Sequence, residues 1–324
     1  MQFEQFIQTA SFALSEGSFY ERLRRNPAVE FDPYLFHATL IYDTGYALIL
    51  EQVHREYLDV GQRYHLPMFA LTDTWRANQE RICQSKFHEY KVNQDNARFI
   101  AKLRDSYGPT ASPIFIGGQI GPRGDAYTPE EALPSAEAEQ FHTPQLEALA
   151  EAQVDFLYAA TLPALSEAQG IATAMAKQGL PYTLSFVIRR DGTLLDGTPL
   201  AQAIETIDDT TPKSPTGYAV NCVHPTVFSD GLAVLEKHNP ILLKRILSYQ
   251  ANTSAKDPKE LDGLGELETE KPEILAELML RAHRQFHTPF LGGCCGTDTS
   301  HIECLASTYN TIAVRHVGRY AFSL

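Results

Sequence analysis

The sequence predicts an α/β protein with a single domain, a closed (β/α)8 barrel spanning residues 1–324. Short apolar runs rich in β-branched and aromatic residues alternate with longer stretches of helical period, which indicates a parallel sheet covered by helices. Eight such units follow one another, and eight parallel strands at this chain length favour closure into a barrel. An open, doubly wound sheet is the alternative, but no Gly-x-Gly-x-x-Gly loop follows the first strand.

The first four units are recognised by turn residues at the end of each apolar run. Strands are predicted at 10–14, 67–71, 113–118 and 154–158. The helices that follow them are predicted at 46–64, 78–107, 144–152 and 164–178. Gly179 supplies the signal that ends the fourth helix, because glycine readily adopts the conformation found after helix C-termini.

The last four units follow the same alternation. Strands are predicted at 182–187, 218–222 and 289–293, and at the end of the ambiguous apolar run 241–247, up to Tyr249. Helices are predicted at 200–207, 227–238, 272–285 and 300–311. Two long loops, at about 22–43 and 251–270, are expected on the catalytic face of the barrel as lids.

The composition argues against nucleic acids and membranes as partners. The net charge is −13, and the sequence lacks the basic stripe that nucleic-acid binding usually requires. The N-terminal residues do not form a signal peptide, and no apolar run reaches the roughly 18 residues of a membrane helix. We therefore expect a cytoplasmic protein whose partners are small molecules, and no oligomeric state is predicted.

The five cysteines are an odd number without an export signal, which favours metal binding or catalysis over a disulfide scaffold. Cys294 and Cys295 are adjacent within Gly-Gly-Cys-Cys-Gly-Thr at 292–297, where glycines permit a tight turn. Cys222 ends the sixth strand and the pair ends the eighth, so a barrel directs all three thiols to one mouth. The remaining two are interpreted as small apolar core residues: Cys83 and Cys304.

Three thiols with an open fourth position are typical of a catalytic Zn²⁺ site. A redox disulfide among the thiols is the alternative, but a vicinal disulfide needs a strained ring and the cytosol disfavours it. At such a zinc site a substrate thiol loses its proton and becomes a sulfur nucleophile. The simplest reaction for this nucleophile is the acceptance of a methyl group from a donor with a good leaving group.

The two cysteine motifs, at 220–222 and 292–297, resemble the signature of the homocysteine S-methyltransferase family. Weaker similarities follow in order along the chain: 16–19, 53–57, 72–78 and 118–122. The resemblance implies a barrel enzyme that transfers a methyl group to the sulfur of homocysteine, giving methionine. It implies Zn²⁺ held by Cys222, Cys294 and Cys295, and a sulfonium or ammonium donor: S-methylmethionine, S-adenosylmethionine or betaine.

By the same resemblance, substrate contacts are predicted for a set of residues at the strand ends: Glu16, Gly17, Thr72, Asp73, Thr161, Asn221 and Tyr249. His224 is a further candidate ligand or base. Four aromatic residues are candidates to enclose a methylated cation, with packing as the alternative: Phe19, Tyr20, Trp75 and Tyr249.

The sequence departs from the family pattern around the acceptor. Ala160 stands where the family has the glutamate that holds the amino group of homocysteine, Glu16 replaces an aspartate, and Asp73 replaces an asparagine. Two alternatives therefore stay open beside homocysteine methylation. One is the same chemistry on a different thiol, and the other is a non-catalytic zinc-binding barrel with an eroded substrate pocket.

Overall fold

The computed structural model describes residues 2–256 and 269–321, with side chains described up to residue 312. Eight parallel strands close into a barrel in sequence order, and β1 pairs with both β2 and β8. The predicted (β/α)8 fold is thereby confirmed. The strands are β1 Ala13–Ser15, β2 Met68–Leu71, β3 Ile114–Ile120, β4 Phe156–Leu162, β5 Tyr182–Phe186, β6 Gly217–Val223, β7 Ile246–Ala251 and β8 Phe290–Gly293.

Helices surround the strands and bury an apolar layer against them. They are α1 Phe3–Thr9, α2 Tyr20–Arg24, α3 Thr44–Arg63, α4 Gln79–Gln84, α5 Val92–Ser106, α6 Ser135–Glu151, α7 Leu165–Ala176, α8 Leu200–Thr210, α9 Pro225–His238, α10 Pro272–Phe286 and α11 Thr299–Ala321. Short 3-10 helices lie at His37–Tyr42, Pro129–Glu131 and Pro240–Arg245. Within the described part of the chain, no helix has the length and apolar character needed to cross a membrane.

The helices predicted at 78–107 and 144–152 differ from the structure. The helix predicted at 78–107 is two helices, α4 and α5, because Ser85 ends α4 and donates a hydrogen bond to Asp32 at 2.9 Å. Helix α6 begins at Ser135, well before Pro144, which the helix accommodates in its interior. The strand predicted at the end of the ambiguous apolar run is confirmed as β7, and the first part of the run is a 3-10 helix.

Helix α1, which the sequence analysis did not predict, covers the N-terminal end of the barrel. Phe3 stacks on Phe156 of β4, with ring centroids 4.3 Å apart. Phe6 lies 4.7 Å from Phe115 of β3. Both partners lie at the start of their strands, so α1 leaves the carboxyl ends of the strands as the open mouth of the barrel.

The predicted lid at 22–43 lies between β1 and α3 and therefore on the same side as that mouth. It contains the end of α2 and one 3-10 helix, and Asp32 organises it by accepting hydrogen bonds from the backbone of Tyr34 and Leu35. Of the second predicted lid, residues 257–268 lie outside the described residues. A lid function for either segment stays a prediction.

Candidate metal centre

Cys222, Cys294 and Cys295 meet at the mouth of the barrel. Their Sγ atoms all lie within 4.8 Å of one another, and those of Cys222 and Cys295 are 3.4 Å apart. Thiolates that share one zinc ion at about 2.3 Å lie roughly 3.8 Å from each other. The spacing and the chemistry of this donor set therefore fit one soft divalent cation with three thiolate ligands.

A local break in β6 directs Cys222 to this position. Its φ is +59°, a left-handed conformation that residues with a side chain rarely adopt, and the register with β7 shifts between Asn221 and Val223. Such irregularities re-aim side chains at strand ends near functional sites. The strain costs about 1–3 kcal/mol, which the surrounding contacts must offset.

Asn221 supplies those contacts by cross-linking β6 to β4. Its Oδ1 accepts hydrogen bonds from the backbone N–H of Thr161 at 2.9 Å and from Ser185 Oγ at 2.7 Å. Its Nδ2 donates to Thr161 Oγ1 at 2.8 Å. Thr161 also has a positive φ, of +64°, so one amide side chain holds two strained residues in place. The structure thus gives Asn221 and Thr161 a positioning role at the cysteine cluster.

The turn after β8 requires its glycines. Gly296 has φ +84°, and a Cβ at this position would lie 1.8 Å from Thr253 Oγ1. A Cβ at Gly293 would lie 2.1 Å from Thr297 Oγ1, which donates a hydrogen bond to the carbonyl of Cys294 at 2.7 Å. The turn therefore packs closely enough to fix both adjacent thiols.

The pKa values of the three thiols are shifted in different directions. Hydrogen bonds from the thiols of Cys294 and Cys295 lower the pKa of Cys222 well below its ordinary value, despite burial, and Tyr127 contributes through its hydroxyl at 2.9 Å. The proximity of Cys222 and burial raise the pKa values of Cys294 and Cys295. Without a cation the cluster favours one thiolate, so full deprotonation requires a bound positive charge.

Two of the predicted substrate residues lie in a buried network centred on His54 of α3. His54 Nδ1 is 3.0 Å from Glu16 Oε1, and its Nε2 is 2.8 Å from Asp73 Oδ2. Glu16 Oε2 also accepts a hydrogen bond from the backbone of Leu71 at 2.8 Å, and Asp73 Oδ1 lies 3.5 Å from His37 Nε2. Every carboxylate oxygen therefore contacts a group of the fold itself.

This network is almost closed to solvent. His54 is 0% exposed, Glu16 2% and Asp73 3%. Burial by itself would lower the pKa of His54, but Asp73 and Glu16 raise it to about 9. His54 is therefore protonated at neutral pH and pairs with two buried carboxylates. Burial raises the pKa of Glu16, with His54 opposing it.

Three other predicted substrate residues also form hydrogen bonds or packing contacts within the barrel wall. Thr72 Oγ1 accepts a hydrogen bond from the backbone of Gln119 at 2.9 Å, and a Cβ at Gly17 would overlap the ring of Tyr57. Tyr249 is fully buried and stacks on Phe228 of α9 at 4.0 Å. It therefore lies between β7 and a helix rather than around a methylated cation.

The remaining candidates occupy several environments. His224 caps α9 by accepting from the backbone N–H of Thr226. Phe19 packs against His54 at 4.2 Å. Tyr20 packs on Phe31 and Phe36, and Trp75 donates to the carbonyl of Ala160 at 3.3 Å. Cys83 is exposed, contrary to the core position predicted for it, and Cys304 packs partly buried against the core.

Three residues of this region were missed by sequence reasoning: Tyr127, His54 and Arg76. Tyr127 follows β3 in a loop that opens on the mouth, and an aromatic residue in such a loop was the available signal. His54 interrupts the apolar side of an amphipathic helix, a position where a polar residue needs a buried partner. Arg76 follows β2, and only this position after a strand end could have indicated a role for it.

Comparisons with known proteins agree with this arrangement. A family model described as homocysteine S-methyltransferase matches residues 13–309. The chain is 25% identical over 279 residues to the homocysteine S-methyltransferase YbgG of Bacillus subtilis (strain 168), over 80% of this chain and 83% of that protein. It is 24% identical over 283 residues to a homocysteine S-methyltransferase of Escherichia coli (strain K12), over 79% and 83% of the two chains.

Solved structures of the homocysteine methyltransferase MmuM from Escherichia coli have the same fold. The metallated form superposes with a TM-score of 0.74 at 20% identity, over 94% of this chain and 98% of that one. The oxidized form gives 0.73, over 93% and 97%. Because the family match runs from β1 into the last helix and includes all three clustered cysteines, the chain belongs to the homocysteine S-methyltransferase family and is an enzyme.

Proposed function

We propose that this enzyme is a Zn²⁺-dependent thiol methyltransferase that methylates homocysteine to methionine. The observation that carries the proposal is the convergence of three thiols within 4.8 Å at the barrel mouth. The named activity of the relatives and the metallated state of one of them support it. Cys222, Cys294 and Cys295 would hold the ion.

Bound there, Zn²⁺ would supply the positive charge that converts an acceptor thiol into a thiolate nucleophile at neutral pH. In the overall reaction the acceptor loses its proton to solvent and its sulfur forms a bond to the methyl carbon. The bond from that carbon to the positively charged sulfur or nitrogen of the donor breaks, and its electron pair stays on the donor. The reaction is therefore balanced without an oxidant or reductant.

The protein's own residues would orient the reacting groups. Asn221 and Thr161 keep Cys222 in its left-handed conformation, and Tyr127 donates or accepts a hydrogen bond at its sulfur. The packed turn around Gly296 fixes the other two thiols. Alignment of the two substrates by a rigid site of this kind is worth several kcal/mol of the barrier.

The Cys294→Ala variant tests the proposal. We expect it to lose stoichiometric zinc, measured by elemental analysis, and to lose at least roughly 100-fold in methyl transfer to homocysteine, because one metal ligand is gone. Cys83→Ala is the matched control, since its thiol is exposed and away from the cluster. A Cys294→Ala protein that keeps both zinc and activity would disprove the proposed site.

A different thiol acceptor is the second candidate, and one observation favours it. Ala160 offers no carboxylate, and both Glu16 and Asp73 are occupied by the buried network around His54. A homocysteine ammonium group would therefore meet no exposed carboxylate from these positions. Turnover of homocysteine should be compared with that of 4-mercaptobutanoate, which lacks only the amino group. Equal kcat/KM for the two thiols would favour the second candidate.

A further inference from the structure

Among the residues that the structure describes, Arg76 is a buried cation without a carboxylate partner. Of the arginine and lysine side chains that the structure describes, only Arg76 is buried, with 9% of its surface exposed. No acidic side chain of the described residues lies within ion-pair distance of its guanidinium, whereas the neighbouring Arg123 pairs with Glu80. A buried charge is costly unless it is compensated, so an unpaired arginine at a site mouth indicates a bound anion.

The fold uses only one edge of this guanidinium. Nη1 donates to the carbonyl oxygens of Pro122, at 3.1 Å, and Gly124. Nε is buried and has no hydrogen-bond partner in the described part of the chain, and the plane of the group stacks on Trp75 with its carbon 4.1 Å from the ring centroid. Trp75 therefore offers one ring face to an arginine, and this face is not available for a methylated cation.

Arg76 remains charged at neutral pH. Burial, together with the positive charge of Arg81, lowers its pKa to about 10, and the acids Asp125 and Glu167 oppose this change from a distance. Glu167 is itself engaged, because it accepts hydrogen bonds from the backbone of Arg123 and contacts His142. The nearby acids therefore leave the guanidinium with unused hydrogen-bonding capacity.

Arg76 lies in the layer of loops above the cysteine cluster. It follows the end of β2 and bonds to the loop after β3, and Tyr127 of that same loop contacts Cys222 at 2.9 Å. The acceptor sulfur belongs at the cluster, level with the strand ends. The methyl donor therefore has to approach from the loop layer, where Arg76 lies.

We propose that Arg76 binds the carboxylate of the methyl donor. The proposal rests on the proposed function for its kinetic test only. Arginine suits this role because its planar fork matches a carboxylate and because it stays charged when buried. The positive charge also repels the cationic centre of the donor, which favours binding with the carboxylate towards Arg76 and the methyl group towards the thiols.

The kinetic test uses Arg76→Gln with S-methyl-L-methionine as donor. We expect a KM for the donor about 10- to 100-fold higher, because one charge-assisted contact is lost, with kcat and the KM for the acceptor unchanged. Arg76→Lys, which keeps the charge and can still donate to the loop carbonyls, should give a smaller rise. The amide of S-methyl-L-methionine should react at equal rates with wild type and Arg76→Gln.

Arg81→Gln is the matched control, since Arg81 lies nearby and donates to the carbonyl of Tyr34. It should leave the KM for the donor unchanged. The proposal is overturned if Arg76→Gln slows the amide as strongly as the carboxylate donor, or if it raises the KM for the acceptor instead. An equal effect of Arg81→Gln would also overturn it, because the overall positive electrostatic potential of the region would then explain the result.

A binding test separates this proposal from the methyltransferase assignment. Trp75 is the single tryptophan of the chain and stacks on Arg76, so its emission reports on this position. Glycine betaine, S-methyl-L-methionine and S-adenosyl-L-methionine are titrated against choline and the amide, which lack the carboxylate. We expect a response to at least one carboxylate compound that its counterpart without the carboxylate does not give and that Arg76→Gln abolishes. Absence of any carboxylate-dependent response overturns the proposal, whereas absence of methyl transfer with an intact response removes only the proposed function.

Discussion

His54 is the residue on which the buried polar chemistry of this barrel depends. It neutralises part of the charge of Glu16 and Asp73, two acids that come from the ends of neighbouring strands. His37 faces Asp73 from the 3-10 helix of the first long loop. A buried acid pair without its cation is strongly destabilising. The network therefore links the first long loop, α3 and the ends of two strands, and its role is to stabilise the fold.

This arrangement predicts a pH dependence of stability. The folded-state pKa of His54, about 9, lies above the ordinary value near 6.5. Its contribution is therefore complete below about pH 6.5 and is lost as the pH rises through 9, by up to about 3 kcal/mol. Burial also raises the pKa of Glu16, so its contribution to stability is likewise lost as the pH rises.

Denaturant unfolding between pH 6 and pH 10 measures this effect. The His54→Gln variant should be less stable at pH 7 by about 3 kcal/mol and should show a flatter profile above pH 7, because two acids lose their cation. His238→Gln, an exposed histidine after which α9 ends, is the control and should follow the wild-type profile. A wild-type free energy of unfolding that stays constant from pH 7 to pH 9.5 would contradict the assignment of a protonated His54.

Among the secondary-structure elements, α1 decides which end of the barrel is open. Its two phenylalanines pack into an aromatic cluster at the start of the strands, so the N-terminal end is filled by side chains. Phe3 contacts three rings of the strands: Phe69, Phe115 and Phe156. The carboxyl ends, where the cysteines lie, are left as the mouth.

Phe3→Ala should therefore destabilise the protein without changing the site. We expect the free energy of unfolding to fall by up to about 3 kcal/mol, because a large buried ring is removed. Zinc content and turnover at 20 °C should be retained. Leu48→Ala is the control, since Leu48 is 63% exposed, and should change stability by less than about 0.5 kcal/mol. A Phe3→Ala protein as stable as Leu48→Ala would show that α1 does not dock as described.

The whole molecule brings together residues that are distant in sequence. Cys222 and Cys295 belong to β6 and to the turn after β8, and the pairing of both strands with β7 fixes their separation. The largest apolar cluster of the described residues, between the strands and the helices, does not include the three thiols. The fold should therefore persist when the site is empty.

Removal of zinc by a chelator tests this separation of fold and site. We expect the far-UV circular dichroism to be retained and the melting temperature to fall. Each tenfold rise in free zinc above its dissociation constant should restore about 1.4 kcal/mol, because zinc binds the folded state. In Cys294→Ala the melting temperature should not respond to zinc. Unfolding of the wild type on chelation would show instead that the metal is required for the fold.

The sequence determined the eight strand–helix units, the three clustered cysteines and their place at two strand ends. These features are local, because hydrophobic periodicity indicates the secondary structure. In a parallel barrel the carboxyl ends of all strands lie on the same side, so residues at two strand ends share one mouth. Strand bounds agree to within a few residues, and Gly296 and its neighbours could be assigned to a tight turn because glycine adopts a positive φ without a steric cost.

Only the tertiary structure decided what Glu16, Asp73, Tyr249 and Arg76 contact. A carboxylate at a strand end is compatible with a ligand or with a buried partner, and the partner, His54, lies on a helix remote in sequence from Asp73. Tyr249 faces a helix because of the pleat of β7 against α9. Among the described residues Arg76 has no acid partner, and the loop after β2 directs its guanidinium to carbonyl oxygens of the loop after β3 instead. Which side chains pair and which are buried depends on contacts between different elements, so the hydrophobic periodicity of the sequence does not predict them.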